Sequence, residues 1–156
     1  MFTHRLRVRW ADTDASGRIH NAVAFRYFEE AETELFRHLG LRLEPLPEAR
    51  LDFPRVHVEC DYLQPLAFDD ELEIRVRAGR LGRTSFTLEY EGLLVAEGPH
   101  RPALTGSAAA ALPLPALRGR VVIVAVERGS NRPAPLPEEL RAALRTVQAD
   151  TEGGPA

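Results

Sequence analysis

The amino-acid sequence predicts an α+β domain in which one long helix packs on one face of an antiparallel sheet. Two patterns carry this. Apolar residues recur at three- and four-residue steps over a single long stretch, from about Asn21 to Leu39. Beyond Pro54, by contrast, most of the chain alternates apolar and polar residues in runs joined by short turns. Helix and strands are segregated in the sequence, which indicates a helix gathered onto one side of a sheet. A chain of 156 residues, 44% hydrophobic and 28% charged, has the size and balance of one globular domain. We place that domain at 1–147 and expect 148–156 to be a flexible tail.

The first strand runs from His4 to Trp10, where Leu6, Val8 and Trp10 alternate with Arg5, Arg7 and Arg9. Asp12 to His20 is a turn region punctuated by Ser16-Gly17. The helix follows, with Ala24, Phe28, Ala31, Leu35 and Leu39 as its apolar stripe and Phe25 and Phe36 widening it. Asn21 fits its N-cap and Gly40 its stop. Leu41 to Phe53, with Pro45 and Pro47, reads as an irregular connection.

In the next strand, Arg55 to Leu63, Val56, Val58, Cys60 and Tyr62 share one face and His57, Glu59 and Asp61 the other. Glu71 to Ala78 alternates through Leu72, Ile74 and Val76, Gly79 and Gly82 flank a tight connection, and Arg83 to Val95 points Phe86, Leu88 and Tyr90 inward. Arg120 to Val126 is apolar on both faces, which places it centrally in the sheet. Between these last two strands, 98–119 forms a long loop or insertion, within which a short helix at Ser107 to Leu112, an extra strand and disorder all fit the residues. A short helix ending near Arg145 closes the chain. Such a sheet leaves free edges and a partly covered face, so association with a second copy is expected.

Composition narrows the function. A net charge of -3 and a pI of about 6.0 provide no basic field to recruit nucleic acid or a membrane surface. All 20 basic residues are Arg, which excludes a Schiff-base lysine and a phosphate-loop lysine. The single cysteine, Cys60, excludes an intramolecular disulfide and lies in an alternating apolar series, as a core thiol would. The first residues show no apolar signal region, and no apolar run approaches the length of a membrane helix, so a cytoplasmic location is expected.

Three constellations compete for chemistry. Asp14 stands in a turn just ahead of the helix, where Gly17 and the unpaired N–H groups near Asn21 and Ala22 could flank a polarised carbonyl. There Asp14 would attack the carbonyl carbon or activate a water, and His20 could donate a hydrogen bond. On the residues alone, a turn in which Asp12 or Asp14 only satisfies backbone donors is the simpler reading. His57, Glu59 and Asp61 share a strand face and could ligate a metal, though a solvated strand face gives the same pattern. Glu29 or Glu30 on the helix could serve as the base instead of Asp14. There is no glycine-rich phosphate loop, no Gly-x-Ser-x-Gly elbow and no metalloprotease His pair.

The stretch Asp12-Thr13-Asp14-Ala15-Ser16-Gly17-Arg18-Ile19-His20-Asn21 running on through Tyr27-Phe28-Glu29-Glu30-Ala31 resembles the signature of hotdog-fold acyl-CoA thioesterases of the 4-hydroxybenzoyl-CoA thioesterase type. Asp61 to Leu66 with Asp69-Asp70, Leu81 to Phe86, and Arg132-Pro133 through Pro137-Glu138 resemble further family segments in the same order. The likeness covers Arg5 to Leu144 apart from 98–119. It implies a long helix wrapped by a five- or six-stranded antiparallel sheet, and a homodimer, or a dimer of dimers, with its active sites at the subunit interface. It implies Asp14 as nucleophile or general base and the Asn21 backbone N–H, near His20, at the thioester oxygen. Gly17 and Ala22 would line the substrate, with Arg83 and Ser85 near the coenzyme A phosphates. Thioester hydrolysis is downhill, so neither metal nor redox cofactor is required, and coenzyme A is part of the substrate. The sequence departs from the pattern at Asn21, where many relatives carry His, at Ala24, where many carry an aromatic, and in the length of 98–119. The activity expected is hydrolysis of an acyl-CoA to the acid and coenzyme A. The alternatives are hydrolysis of a carrier-protein thioester and a non-catalytic module that binds acyl-CoA.

Overall fold

A computed structural model describes residues 1–41, 50–101 and 111–148. The elements are β1 (Phe2–Arg7), a 3-10 turn (Trp10–Asp12), α1 (Val23–His38), β2 (Leu51–Asp52), β3 (Arg55–Tyr62), β4 (Glu71–Leu81), β5 (Ser85–Ala96), β6 (Leu114–Val124), β7 (Val126–Glu127) and α2 (Glu138–Arg145). Five strands form an antiparallel sheet in the order β1-β4-β5-β6-β3, and β2 pairs with β7 in a separate two-stranded ribbon. The α+β hotdog arrangement implied by the sequence is present: α1 lies along one face of the curved sheet.

The alternation in each strand decides which face meets the helix. Leu72, Ile74, Val76 and Ala78 of β4, Phe86, Leu88 and Tyr90 of β5, and Leu117, Val121 and Ile123 of β6 are buried together with Val23, Ala24, Phe28, Ala31 and Leu35 of α1. Phe28 stacks on Tyr90 with ring centroids 4.5 Å apart. Its ring also lies on Gly119 of β6, where an added Cβ would stand 2.2 Å from Phe28 Cε2. Only glycine permits this approach of helix to sheet. Glu32 is the one acid of the stripe that is buried, with Tyr90 Oη donating to its Oε2 at 3.0 Å and Arg55 to its Oε1. On the opposite face of the sheet, Arg77 pairs with Glu89 at 2.8 Å and Arg120 with Glu59 at 2.7 Å, the cross-strand charge pairing of a solvated face. The C-terminal α2 buries Leu144, and Arg141 donates to the Gly82 carbonyl at 2.7 Å, closing one end of the core.

Several boundaries differ from the sequence reading. The first strand begins at Phe2 and ends at Arg7, and Trp10 leaves it to sit 73% exposed. The long segment 98–119 is not all loop, because β6 begins at Leu114 and includes 114–119. Pro113 and Pro115 obscured that start, although Leu117 and Gly119 continue the inward alternation. The choice among a short helix at Ser107–Leu112, an extra strand and disorder falls largely outside the described residues, as do 42–49 and the tail beyond Gln148. β4 runs through Gly79 to Leu81, so the turn is Gly82 to Thr84. Part of the apolar face of β3 is left uncovered: Cys60 packs against the core, but Val56 is 60% and Val58 50% exposed. β3 is also an edge strand, pairing only with β6.

Candidate active site

The turn between β1 and α1 divides its two aspartates between structure and solvent. Asp12 is buried, accepting the Arg9 N–H at 3.0 Å and the Tyr27 hydroxyl at 2.9 Å on Oδ2, with Arg26 donating to Oδ1 at 3.3 Å. Burial and the carboxylate beside it push the Tyr27 hydroxyl pKa far above its ordinary value. Asp12 thus ties the turn to the second turn of α1.

Asp14 is exposed, two residues further along. Its loop is closed by the Thr13–Ile19 bridge, by the Asp14 N–H donating to Arg18 O at 2.9 Å, and by the Gly17 N–H donating to Asp14 O at 3.0 Å. Gly17 supplies the positive φ of 75° that the reversal needs. The loop is held to the neck between β3 and β4 by Ile19 N–H donating to Leu66 O at 2.9 Å and by the Arg18–Ala67 bridge. Asp14 Oδ1 accepts the Ser16 hydroxyl at 2.6 Å and the Ser16 N–H at 2.8 Å, and no described group donates to Oδ2. These two Ser16 donors, with His20 and Arg18 adding attraction, hold the Asp14 carboxyl below its ordinary value. At neutral pH the site therefore presents a carboxylate with one oxygen fixed and one open.

Next to it the chain enters α1. The expected N-cap is corrected: Ala22, not Asn21, stands at the cap, in helical conformation and without a side-chain cap bond. The Ala22 N–H, expected to be free, instead donates to Nδ1 of His20 at 3.2 Å, because an imidazole two residues upstream is long enough to reach back to it. With Nδ1 accepting, a neutral His20 carries its proton on Nε2. The Asn21 N–H is left without an acceptor among the described residues. Tyr62, read from sequence only as a member of an apolar strand face, donates its hydroxyl to the Asn21 carbonyl and so orients the Asn21–Ala22 peptide. Partial burial pushes the Tyr62 hydroxyl up to about 12, so it remains a donor at neutral pH. No pattern in the sequence pairs residues 21 and 62; only the proximity of the β3 end to the helix start does so.

The structure thus gathers Asp14, Gly17, His20, Asn21 and Ala22 in one loop and helix start. It does not bring Arg83 and Ser85 to them within one chain. Ser85 is in register with Val124, whose N–H donates to Pro54 O at 3.1 Å at the start of β3. The next residue, Phe86, lines a cavity of about 690 Å³ with Phe36, Gly40 and Leu41 from the far end of α1. A 16-residue helix spans about 24 Å, so the two groups of residues stand at opposite ends of α1. Ala24 is fully buried in the core and forms no part of an open pocket.

The other constellations are engaged elsewhere. Glu30 meets His4 at 2.9 Å and Arg9 at 3.6 Å, while Glu29 lines the far cavity with buried Glu32. Burial raises the Glu32 carboxyl above its ordinary range against the opposing pull of Arg55 and Tyr90. His57 contacts Glu59 at 2.9 Å, and Arg120 holds the same carboxylate, drawing Glu59 down to about 2. No group of three or more His, Cys, Asp or Glu is placed to hold a metal among the described residues. Cys60 is half-buried, and that burial raises its thiol to about 11, as suits a packing residue. No described helix is long and apolar enough to cross a membrane.

Comparison with known proteins gives a consistent result. The sequence model of the thioesterase-like superfamily matches residues 8–144. The chain is 29% identical over 136 residues to the 1,4-dihydroxy-2-naphthoyl-CoA hydrolase of Synechococcus elongatus, covering 86% of this chain and 88% of that protein. Among solved structures, the PA5185 protein of Pseudomonas aeruginosa superposes with a TM-score of 0.75 at 28% identity, covering 97% of this chain and 94% of the other. Slr0204, a 1,4-dihydroxy-2-naphthoyl-CoA thioesterase from Synechocystis, superposes with a TM-score of 0.78 at 20% identity, covering 94% and 96%, a likeness of fold.

Proposed function

Since the chain belongs to the thioesterase-like superfamily, and on that footing is a thioester hydrolase, we propose that it converts an acyl-CoA and water to the free acid and coenzyme A with Asp14 as the reacting carboxylate. One observation carries this assignment: Asp14 offers an open, ionised oxygen in the loop that delivers the unpartnered Asn21 N–H at the start of α1. That N–H, with the positive end of the helix dipole behind it, stabilises the negative charge that grows on the thioester oxygen as the carbonyl carbon becomes tetrahedral. His20, with Nδ1 engaged by the Ala22 N–H, has Nε2–H to offer as a second donor. Asp14 either attacks the carbonyl carbon, expelling the coenzyme A thiolate and leaving an anhydride that water cleaves, or removes the proton from a water that attacks directly. Both routes end with the acid, the thiol and a regenerated carboxylate.

The site is completed by a second copy. The unpaired edge of β3 and its uncovered Val56, Val58, Tyr62 and Leu63 are the features of a strand that pairs with itself. Antiparallel pairing of β3 with its copy sets the Tyr62 end, beside Asn21, against the Arg55 end of the other subunit. This brings the cavity lined by Phe36, Phe53, Phe86 and Leu140 of the partner subunit toward the Asp14 loop, as a receptacle for the acyl group. Arg83 and Ser85 of the partner subunit then border that side of the cleft. The name of the Synechococcus elongatus relative makes fused-ring aromatic acyl groups the first class to try. The test is thiol release from aromatic, short and long acyl-CoAs and from acylated carrier protein. Turnover of the CoA esters supports the reading, preference for the carrier protein redirects it, and binding without turnover marks a non-catalytic module.

A further inference from the structure

Among the described residues, the most exposed of the large apolar side chains lies outside the core. Trp10, the single tryptophan of the chain, is 73% exposed. Its carbonyl holds the turn, accepting the Thr13 N–H at 3.2 Å and the Thr13 hydroxyl at 2.9 Å. The indole stands edge-on to Phe68, centroids 5.5 Å apart at 84°, and Phe68 is stacked on His100 at 5.3 Å and 22°. Three rings from three separate segments thus form a surface platform with the indole outermost.

A cation with no salt bridge among the described residues lies in the connecting loop, where its longer-range attraction falls on Asp14. Arg18 is exposed and has no carboxylate within ion-pair distance among the described residues, unlike Arg7 and Arg9 nearby. It is bridged to Ala67, the residue before Phe68, and its carbonyl accepts the Asp14 N–H at 2.9 Å. Asp14, the guanidinium and the ring platform therefore follow one another along a short backbone path. β1, which leads to Trp10, is the sheet edge opposite β3, so pairing of two copies through β3 does not use the edge beside Trp10.

An aromatic face joined by a short backbone path to a guanidinium without a salt bridge among the described residues suits a planar base carrying phosphate. The acyl-CoA reading, on which this step rests, supplies such a group: coenzyme A ends in an adenosine with 3′- and 5′-phosphates. We infer that Trp10, backed by Phe68 and His100, stacks the adenine of the substrate while Arg18 pairs with its phosphates. The nucleotide then leaves the Asp14 loop on the β1 side and the acyl group on the β3 side.

The fluorescence of Trp10 reports directly. Adenosine 3′,5′-bisphosphate should quench it saturably, with Kd weakened about tenfold in Arg18→Ala. In kinetics, Trp10→Ala should raise the ratio of KM for acyl-CoA to KM for the matching acyl-N-acetylcysteamine, which lacks the nucleotide, about tenfold. Trp10→Phe should restore most of that ratio. Absence of quenching, or an unchanged ratio in Trp10→Ala, overturns the inference while leaving hydrolysis intact. A ratio that rises in Arg83→Ala and not in Trp10→Ala overturns it too and places the nucleotide at the other subunit. Loss of all thioester hydrolysis is the separate failure of the acyl-CoA reading, and quenching by the bisphosphate still decides the subsite.

Discussion

The Tyr27 hydroxyl donates to Asp12 Oδ2 at 2.9 Å, so the first carboxylate of the Asp-Thr-Asp turn belongs to the framework, while the second faces solvent. Their substitutions should separate accordingly. Asp12→Ala removes the acceptor of the Tyr27 hydroxyl and the Arg9 N–H and should cost about 3 kcal/mol of stability. Asp14→Ala, at an exposed position, should change stability by about 0.5 kcal/mol or less. Urea unfolding of both variants checks this. Equal losses would contradict the division.

With Asp14 as the proposed reacting carboxylate, the Ser16 donors should set the acid limb of activity. They favour the ionised form of Asp14 and hold its pKa down, so activity should be fully present at neutral pH and fall only as pH drops below the ordinary carboxylate range. Ser16→Ala removes the hydroxyl donor, raises the Asp14 pKa and should move the acid limb of kcat/KM to higher pH with the plateau position retained. A limb that stays in place in this variant would point to a different titrating group.

Gly119 is a packing contact between sheet and helix. Gly119→Ala inserts a methyl where Phe28 already lies, and both the ring and its stack on Tyr90 must shift. Overpacking of this kind should cost about 1–3 kcal/mol. Denaturant midpoints of Gly119→Ala and of an exposed control on the opposite face, Arg118→Ala, make the comparison.

The β3 edge should carry the assembly. Light scattering should return twice the 17.4 kDa chain mass for the wild type, or four times if dimers pair. Val58→Lys puts a charge on the uncovered apolar face and should shift the protein to the single-chain mass, with loss of thiol release because each cleft needs its neighbour. A wild type already monomeric and active would refute the shared cleft.

Much of this was legible in the residues. Period-two and period-three-to-four patterns placed the long helix and the sheet because most of their side chains are buried on one face only. The nearness of Asp14 to the helix start was legible because a carboxylate turn before a helix start is a local arrangement, whereas the roles given to Asp14 and Asn21 came from the resemblance. What escaped was non-local or ambiguous. The start of β6 was hidden by Pro113 and Pro115, and the pairing of Tyr62 with Asn21 depends on strands meeting a helix from 41 residues away. The engagement of Ala22 by His20 depends on a side-chain torsion that no spacing specifies. Arg83 and Ser85 were placed by likeness alone, and one chain sets them at the far end of α1.

The central claim is that Asp14 reacts, and a steady-state comparison of wild type with Asp14→Asn tests it most directly. The substitution keeps the size of the side chain and an acceptor for Ser16 while removing the charge. On an acyl-CoA that the wild type hydrolyses, kcat should fall by about 10²–10⁴-fold with KM and unfolding midpoint little changed. Undiminished kcat in Asp14→Asn would contradict the account and move the search for the carboxylate to Glu29 and Glu30 on α1.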